Sequence, residues 1–392
     1  MVAALSGGIL AVLAACAPAV MAAAGQGRSD GDSPYGRWRN GLSPDPAHFP
    51  IGVWLQNPAN AARYRAAGIN LYVGLWKGPT EEQLQALERA GMRVICDQNA
   101  VGLRNRDNRT IAGWMHGDEP DNAQPMPGGG YGPPIPPERI IADYQRIRTW
   151  DPTRPVLLNL GQGVAWDGWH GRGARTNHPE DYPEYVKGGD IVSFDIYPAV
   201  HSHRDVRGRL WMVGEGVARL RRWAGPGRIV WNVIEAARID NPDVEPTPEQ
   251  VRAEVWMSLV RGSQGIVYFV HQFKPVFKEA ALLENPRLLA AVTSLNAQIR
   301  RLAPVLNGSG DAREMQARGG AVRGLLKRIG SAAWLFAVNE RGAPASVRFE
   351  LPGGTGAGEA EVLDEERRVA VQGGVLEDSF GPWAVHLYRL VR

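Results

Sequence analysis

Ile51-Gly52-Val53-Trp54-Leu55-Gln56-Asn57-Pro58 is the stretch whose reading decides the fold. An apolar run of strand length ends in a polar turn with no glycine fingerprint, which excludes a dinucleotide-binding first unit. Seven more apolar runs follow: Ile69–Leu75, Met92–Cys96, Ile111–Met115, Val156–Leu160, Ile191–Ile196, Ile229–Ile234 and Ile266–Val270. Segments of helical period lie between them, among them Pro79–Ala90, Pro137–Trp150, Arg209–Trp223 and Thr247–Arg261. Several open on Pro or Thr-Pro, as first turns of helices do. Short continuous apolar strands alternating with helices imply a parallel sheet covered on both faces. Eight such units predict an α/β chain folded as a (β/α)8 TIM barrel.

After Leu302 the pattern changes. Val322–Leu326, Ala333–Val338, Ala345–Leu351, Ala360–Leu363, Val369–Val371 and Ala384–Leu390 are strand-like, with Gly-rich turns among their connections. They predict a C-terminal antiparallel β-sandwich. The expected organisation is a leader at 1–24, a polar tether at 25–45, the barrel at 46–305 and the sandwich at 306–392. One connection is out of scale. Ala123–Pro137 holds six Pro and four Gly in fifteen residues and follows the fourth strand, so it is expected on the catalytic rim of the barrel.

Residues 1–24 carry no charged side chain, and Leu13-Ala14-Ala15-Cys16 resembles a bacterial lipobox, in which Cys16 becomes the lipidated first residue. Cleavage after Ala22-Ala23-Ala24 and an uncleaved anchor are the other readings. All three imply export, as a periplasmic or outer-membrane lipoprotein or a secreted protein. Membrane contact is expected only through the N-terminal lipid anchor.

The charge balance, 44 basic against 41 acidic residues, contains no basic cluster, which argues against a nucleic-acid partner. Cys96 lies in an apolar run and reads as core. Trp, at 13, outnumbers both Tyr at 10 and Phe at 8, so what these large rings touch becomes a question.

In a barrel the active site lies at the C-terminal ends of the strands. Strand four runs out through Gly113-Trp114-Met115-His116-Gly117-Asp118-Glu119-Pro120, and strand seven through Val230-Trp231-Asn232-Val233-Ile234-Glu235-Ala236. Two carboxylates, Glu119 and Glu235, would meet across one mouth. That is the requirement of glycosidic cleavage, in which one carboxylic acid protonates the leaving oxygen and the other serves the anomeric carbon. Gln56, Asn99 and His271 also stand at strand ends, where each either lines a sugar subsite or caps a turn. Trp54, Trp76, Trp114 and Trp231 lie on or just after strands. Trp166 and Trp169 follow strand five as a candidate sugar platform, with Trp150, Trp211, Trp223 and Trp256 assigned to helix packing.

These strand ends resemble clan A glycoside hydrolases, the retaining barrels that include families 5 and 42. The resemblance implies that Glu119 is the acid/base and Glu235 the nucleophile. Val192-Ser193-Phe194-Asp195-Ile196-Tyr197-Pro198 is similar to the clan's strand-six motif, which makes Asp195 and Tyr197 supporting residues. The Asn that the clan usually places before its acid/base is Asp118 here. It accepts hydrogen bonds without donating them and raises the pKa of Glu119 by repulsion. The implied activity is O-glycosidic hydrolysis of an oligo- or polysaccharide, with no cofactor and no metal. Two other classes stay open. One is a barrel that binds glycan without cleaving it. The other is a metal-dependent barrel hydrolase using His201 and His203, with His116 and Asp118 nearby, although His-x-His stands on strand one in amidohydrolases and Trp54 and Gln56 occupy those positions here.

Overall fold

A computed structural model describes residues 33–353 and 356–391. The lipobox, Cys16 and the alternative cleavage site lie outside the described residues, as does the first part of the expected tether.

The barrel is present. Its strands are Ile51–Trp54, Leu71–Val73, Arg93–Asp97, Ile111–Met115, Val156–Leu160, Ile191–Phe194, a seventh in two pieces, and Ile266–Phe269. The seventh consists of Ile229–Val230, paired with strand six, and Asn232–Glu235, paired with strand eight. Strand eight pairs in turn with strand one, so the parallel sheet closes on itself. Trp231 is the break. Its buried indole fills the space left by Gly265, where a Cβ would come within 2.6 Å of it, and its Nε1 donates to the Tyr35 hydroxyl at 2.8 Å.

That contact corrects the tether. Tyr35, Trp38 and Leu42 are buried against the inward-facing side chains of strands one to eight. Tyr35 also donates to the Gln264 carbonyl at 2.6 Å. Residues 34–42 therefore plug the barrel rather than hang from it. The polar, Gly-rich composition that suggests a tether conceals three large apolar side chains, and burying each stabilises by about 1.5–3 kcal/mol.

Two helices join the barrel to the second domain. Pro248–Val260 starts from a Thr247–Gln250 capping box and is buried almost all round. It is buried on most sides because strand seven covers one face and the β domain another, where Trp256 meets Phe336 at 5.3 Å. Pro286–Asn307 ends the barrel. Eight antiparallel strands follow, from Ala312–Gln316 to Val385–Val391. A bridge between Arg318 and Arg348 links the two ends of this sheet, folding it over its own core. Two of these strands, Ala312–Gln316 and Val375–Phe380, escape the sequence pattern. The first is almost wholly exposed and the second carries polar Glu377, Asp378 and Ser379.

Candidate active site

Strand four ends at Met115, and the next residues turn sharply. Glu119, directly before Pro120, adopts φ +43°, the left-handed region that non-glycine residues avoid. Such a conformation costs on the order of 1 kcal/mol or more and persists only where its surroundings fix it. The fixing groups are identifiable. Asn122 N donates to the Glu119 carbonyl at 3.0 Å. Buried Asp121 accepts from Gly161 N at 2.9 Å and from the Tyr182 hydroxyl at 2.9 Å. Arg172 donates to the Asp121 carbonyl at 3.2 Å and lies over the Tyr182 ring. Leu55 and Ile239, on the loops after strands one and seven, are also left-handed.

Five groups gather at this turn. The Glu119 and Asp195 carboxyls interact, the Asp195 charge favouring the protonated form of Glu119, and Tyr197 interacts with Asp195 in turn. Asn159 Nδ2 donates to Asp118 Oδ1 at 2.9 Å and lies 3.5 Å from Asp195 Oδ1, while its own Oδ1 accepts from Ser193 at 2.7 Å. Burial and then the Asp195 charge hold Glu119 well above the usual carboxylate range. Burial raises Asp195 to about 6. Asp118 opens to the cleft, but the surrounding walls and then Asp195 push it up to about 7. Asn159 was not singled out in the sequence, although it is the one polar residue within Val156–Leu160.

The cleft above these groups has two lobes, of 640 Å³ and 740 Å³. Both are walled by Trp54, Asp118, Phe269 and Phe273. The first lobe contains the carboxylates together with Asn159, Gln162, Trp169, His170, His201 and His203. Trp169 is oriented by its Nε1 hydrogen bond to Asn122 at 2.8 Å. Trp166 stands behind it, 5.8 Å between ring centroids, and packs on the core instead of lining the lobe.

The remaining expectations divide. Gln56 and His271 both line the second lobe. Gln56 is committed to protein partners, accepting from Tyr64 at 2.5 Å and donating to the Glu279 carbonyl at 2.7 Å. Asn99 is a helix cap: its Oδ1 accepts from Gly102 N at 2.8 Å, and it lines neither lobe. The Pro/Gly-rich stretch 123–137 follows strand four, but none of its residues is among those lining the lobes. Trp150 is exposed on its helix, under Arg146, rather than in the core.

Glu235 ends strand seven, as read, but its carboxylate is not in the cleft. It is fully buried, and its two oxygens accept from Ala199 N at 2.7 Å and Val200 N at 3.0 Å. Glu254, equally buried on helix Pro248–Val260, interacts with the Glu235 carboxyl, and burial pushes Glu235 up to about 7. Glu119 and Glu235 therefore do not face each other across one open mouth. The loop after strand six lies at the Glu235 oxygens, and its backbone N–H groups take both of them.

Among the described residues no group of three or more His, Cys, Asp or Glu side chains is arranged to hold a metal ion. His201 Nε2 pairs with Gln162 Oε1 at 3.0 Å, its Nδ1 accepts from His203 N, and His116 turns away to the Gly188 carbonyl at 2.8 Å.

No protein-family model and no curated sequence matches the chain. Solved structures match it in fold. AmyP in complex with maltose aligns with TM-score 0.54 and 10% identity over 88% of this chain and 96% of AmyP. The maltogenic alpha-amylase AmyB of Thermotoga neapolitana aligns with 0.54 and 11% over 89% and 99%. A cyclomaltodextrinase aligns with 0.55 and 8% over 88% and 78%. At such identities the likeness is one of fold, a (β/α)8 barrel followed by a β domain. These neighbours are named AmyP, a maltogenic alpha-amylase and a cyclomaltodextrinase, so they support the barrel and its β domain without supporting a placement in families 5 or 42. Short strand-end motifs recur on many barrels because every barrel presents its chemistry at the same rim.

Proposed function

We propose that the protein is an exported glycoside hydrolase that cleaves O-glycosidic bonds of an oligo- or polysaccharide, with Glu119 as general acid. The observation that carries this reading is the Glu119–Asp195 carboxyl pair at the floor of an aromatic-walled cleft. A carboxylic acid whose proton is held above the usual carboxylate range is what a glycosidic leaving oxygen needs. Asp195 supplies the negative charge that holds the proton, and Tyr197 fixes Asp195. Asp118, steadied by Asn159, is the carboxylate that faces the sugar and stabilises positive charge at the anomeric carbon. Glu235 acts as a positioning residue. By holding Ala199 and Val200 it fixes the loop that follows Asp195 and Tyr197. A lipid anchor at Cys16 completes the proposal by keeping the enzyme at the cell envelope.

The fold neighbours support a carbohydrate substrate, since AmyP is described with maltose and maltotriose. A glycan-binding barrel without turnover is the second reading, favoured by the burial of Glu235. Hydrolysis of a panel of aryl glycosides and oligosaccharides, by wild type and by Glu119→Gln, separates the two. Turnover that Glu119→Gln abolishes supports the hydrolase. Firm binding by wild type with no turnover of any panel member supports the binding protein.

A further inference from the structure

We infer that the second lobe of the cleft is a separate sugar-binding arm, so that the substrate is a chain extending to both sides of Glu119 and is cut internally. The inference rests on the glycan reading of the first lobe and adds the length and direction of the ligand.

Trp76, Phe273 and Phe277 are 68%, 49% and 59% exposed, a concentration of large apolar rings on one rim. They stand around a cavity of 740 Å³ with Trp54 and Phe269 below them. Exposed apolar patches of this kind mark interaction sites. Aromatic faces match the C–H faces of sugar rings, whose hydroxyls turn to solvent and to polar walls.

The rings are exposed but held on ordered frames. Gln83 closes the Thr80 capping box and donates its Nε2 to the Trp76 carbonyl at 3.0 Å. Phe273 and Phe277 sit on a narrow hairpin in which Gln272 and Lys278 exchange backbone hydrogen bonds of 2.9 Å and 2.8 Å. Phe273 N is tied to the Ile239 carbonyl at 2.7 Å, and its ring stacks on His271 with 9° between planes. Rings fixed before the ligand arrives lose little freedom on binding.

Continuity selects the occupant. The arm shares Trp54, Asp118, Phe269 and Phe273 with the lobe that contains Glu119, so a ligand in one lobe runs into the other. Each lobe alone falls within the roughly 300–1,000 Å³ of a complete small-molecule site. Two in line suit a linear oligosaccharide better than a single sugar. Of the acid cluster, Asp118 stands at the junction of the two lobes, with Glu119 and Asp195 on the first-lobe side of it.

The test measures binding with turnover removed. In the Glu119→Gln background, affinities are determined by calorimetry for malto-, cello- and xylo-oligosaccharides from disaccharide to hexasaccharide. The expected result is a gain in affinity with length in at least one series, and the loss of that gain, about tenfold, on Trp76→Ala or Phe273→Ala. Thermal melting checks that both variants fold, as their exposure leads one to expect. Affinity independent of length in every series, or a gain that survives both substitutions, overturns the arm. Failure of the hydrolase reading is seen separately, as absence of wild-type turnover alongside intact binding.

Discussion

Glu119 and Asp195, on the loops after strands four and six, form a carboxyl pair in which the Asp195 charge favours the protonated form of Glu119. The two groups interact, so their titrations are linked. kcat/KM should fall as pH drops through about 7 and then about 6, where Asp118 and then Asp195 take up protons. It should fall again above the usual carboxylate range, where Glu119 loses its own. Asp195→Asn removes the negative neighbour, so the alkaline limb should move to lower pH. A pH–rate profile of the two proteins checks this, and an unmoved alkaline limb would count against the pair.

Gly161 shapes the same site from strand five. A Cβ there would lie 3.0 Å from Glu119 Oε1 and 2.8 Å from Asn122 Oδ1. Gly161→Ala is expected to displace Glu119 and lower kcat at least tenfold, with a stability loss of about 1–3 kcal/mol from crowding. Kinetics together with thermal melting distinguish displacement from unfolding.

Glu235 and Glu254 set the pH dependence of stability. Both are held above their unfolded values by burial, Glu235 at about 7. A carboxyl raised in this way contributes stability fully present below its unfolded pKa and lost as pH rises through the folded one. The melting temperature should therefore decline from about pH 4.5 toward and beyond 7. Glu254→Gln, which cannot ionise, should flatten that decline. An equal slope in wild type and variant would refute the assignment.

Glu235→Ala should reduce activity by loosening the loop at Ala199 and Val200, at about 1–3 kcal/mol for each orphaned N–H. A positioning role also predicts no chemical rescue. Azide or formate added to Glu235→Ala should yield no glycosyl azide and no recovery of rate. Recovery would identify Glu235 as a nucleophile that reaches the sugar.

Much of the architecture is legible in the chain because each barrel strand is a continuous apolar run, and the rim positions of Glu119, Asp195 and Tyr197 follow from it. What is not legible depends on contacts distant in sequence. The orientation of Glu235 is set by two backbone N–H groups from another loop. The break in strand seven at Trp231 requires Tyr35, 196 residues earlier. Asn99 satisfies a helix end, a role its strand-end position does not distinguish from lining a subsite. The tryptophan surplus divides by location: Trp114, Trp231 and Trp256 are fully buried, while Trp54, Trp76 and Trp169 wall the cleft.

The most direct measurement compares wild type and Glu119→Gln on two substrates with the same sugar, one with an alkyl leaving group and one with 2,4-dinitrophenolate. A general acid matters only where the leaving oxygen needs a proton. The expected result is a loss of about 10²–10⁴-fold on the alkyl glycoside and a far smaller loss on the dinitrophenyl glycoside. Equal losses on both substrates, or none on either, would contradict the role of Glu119 as the proton donor.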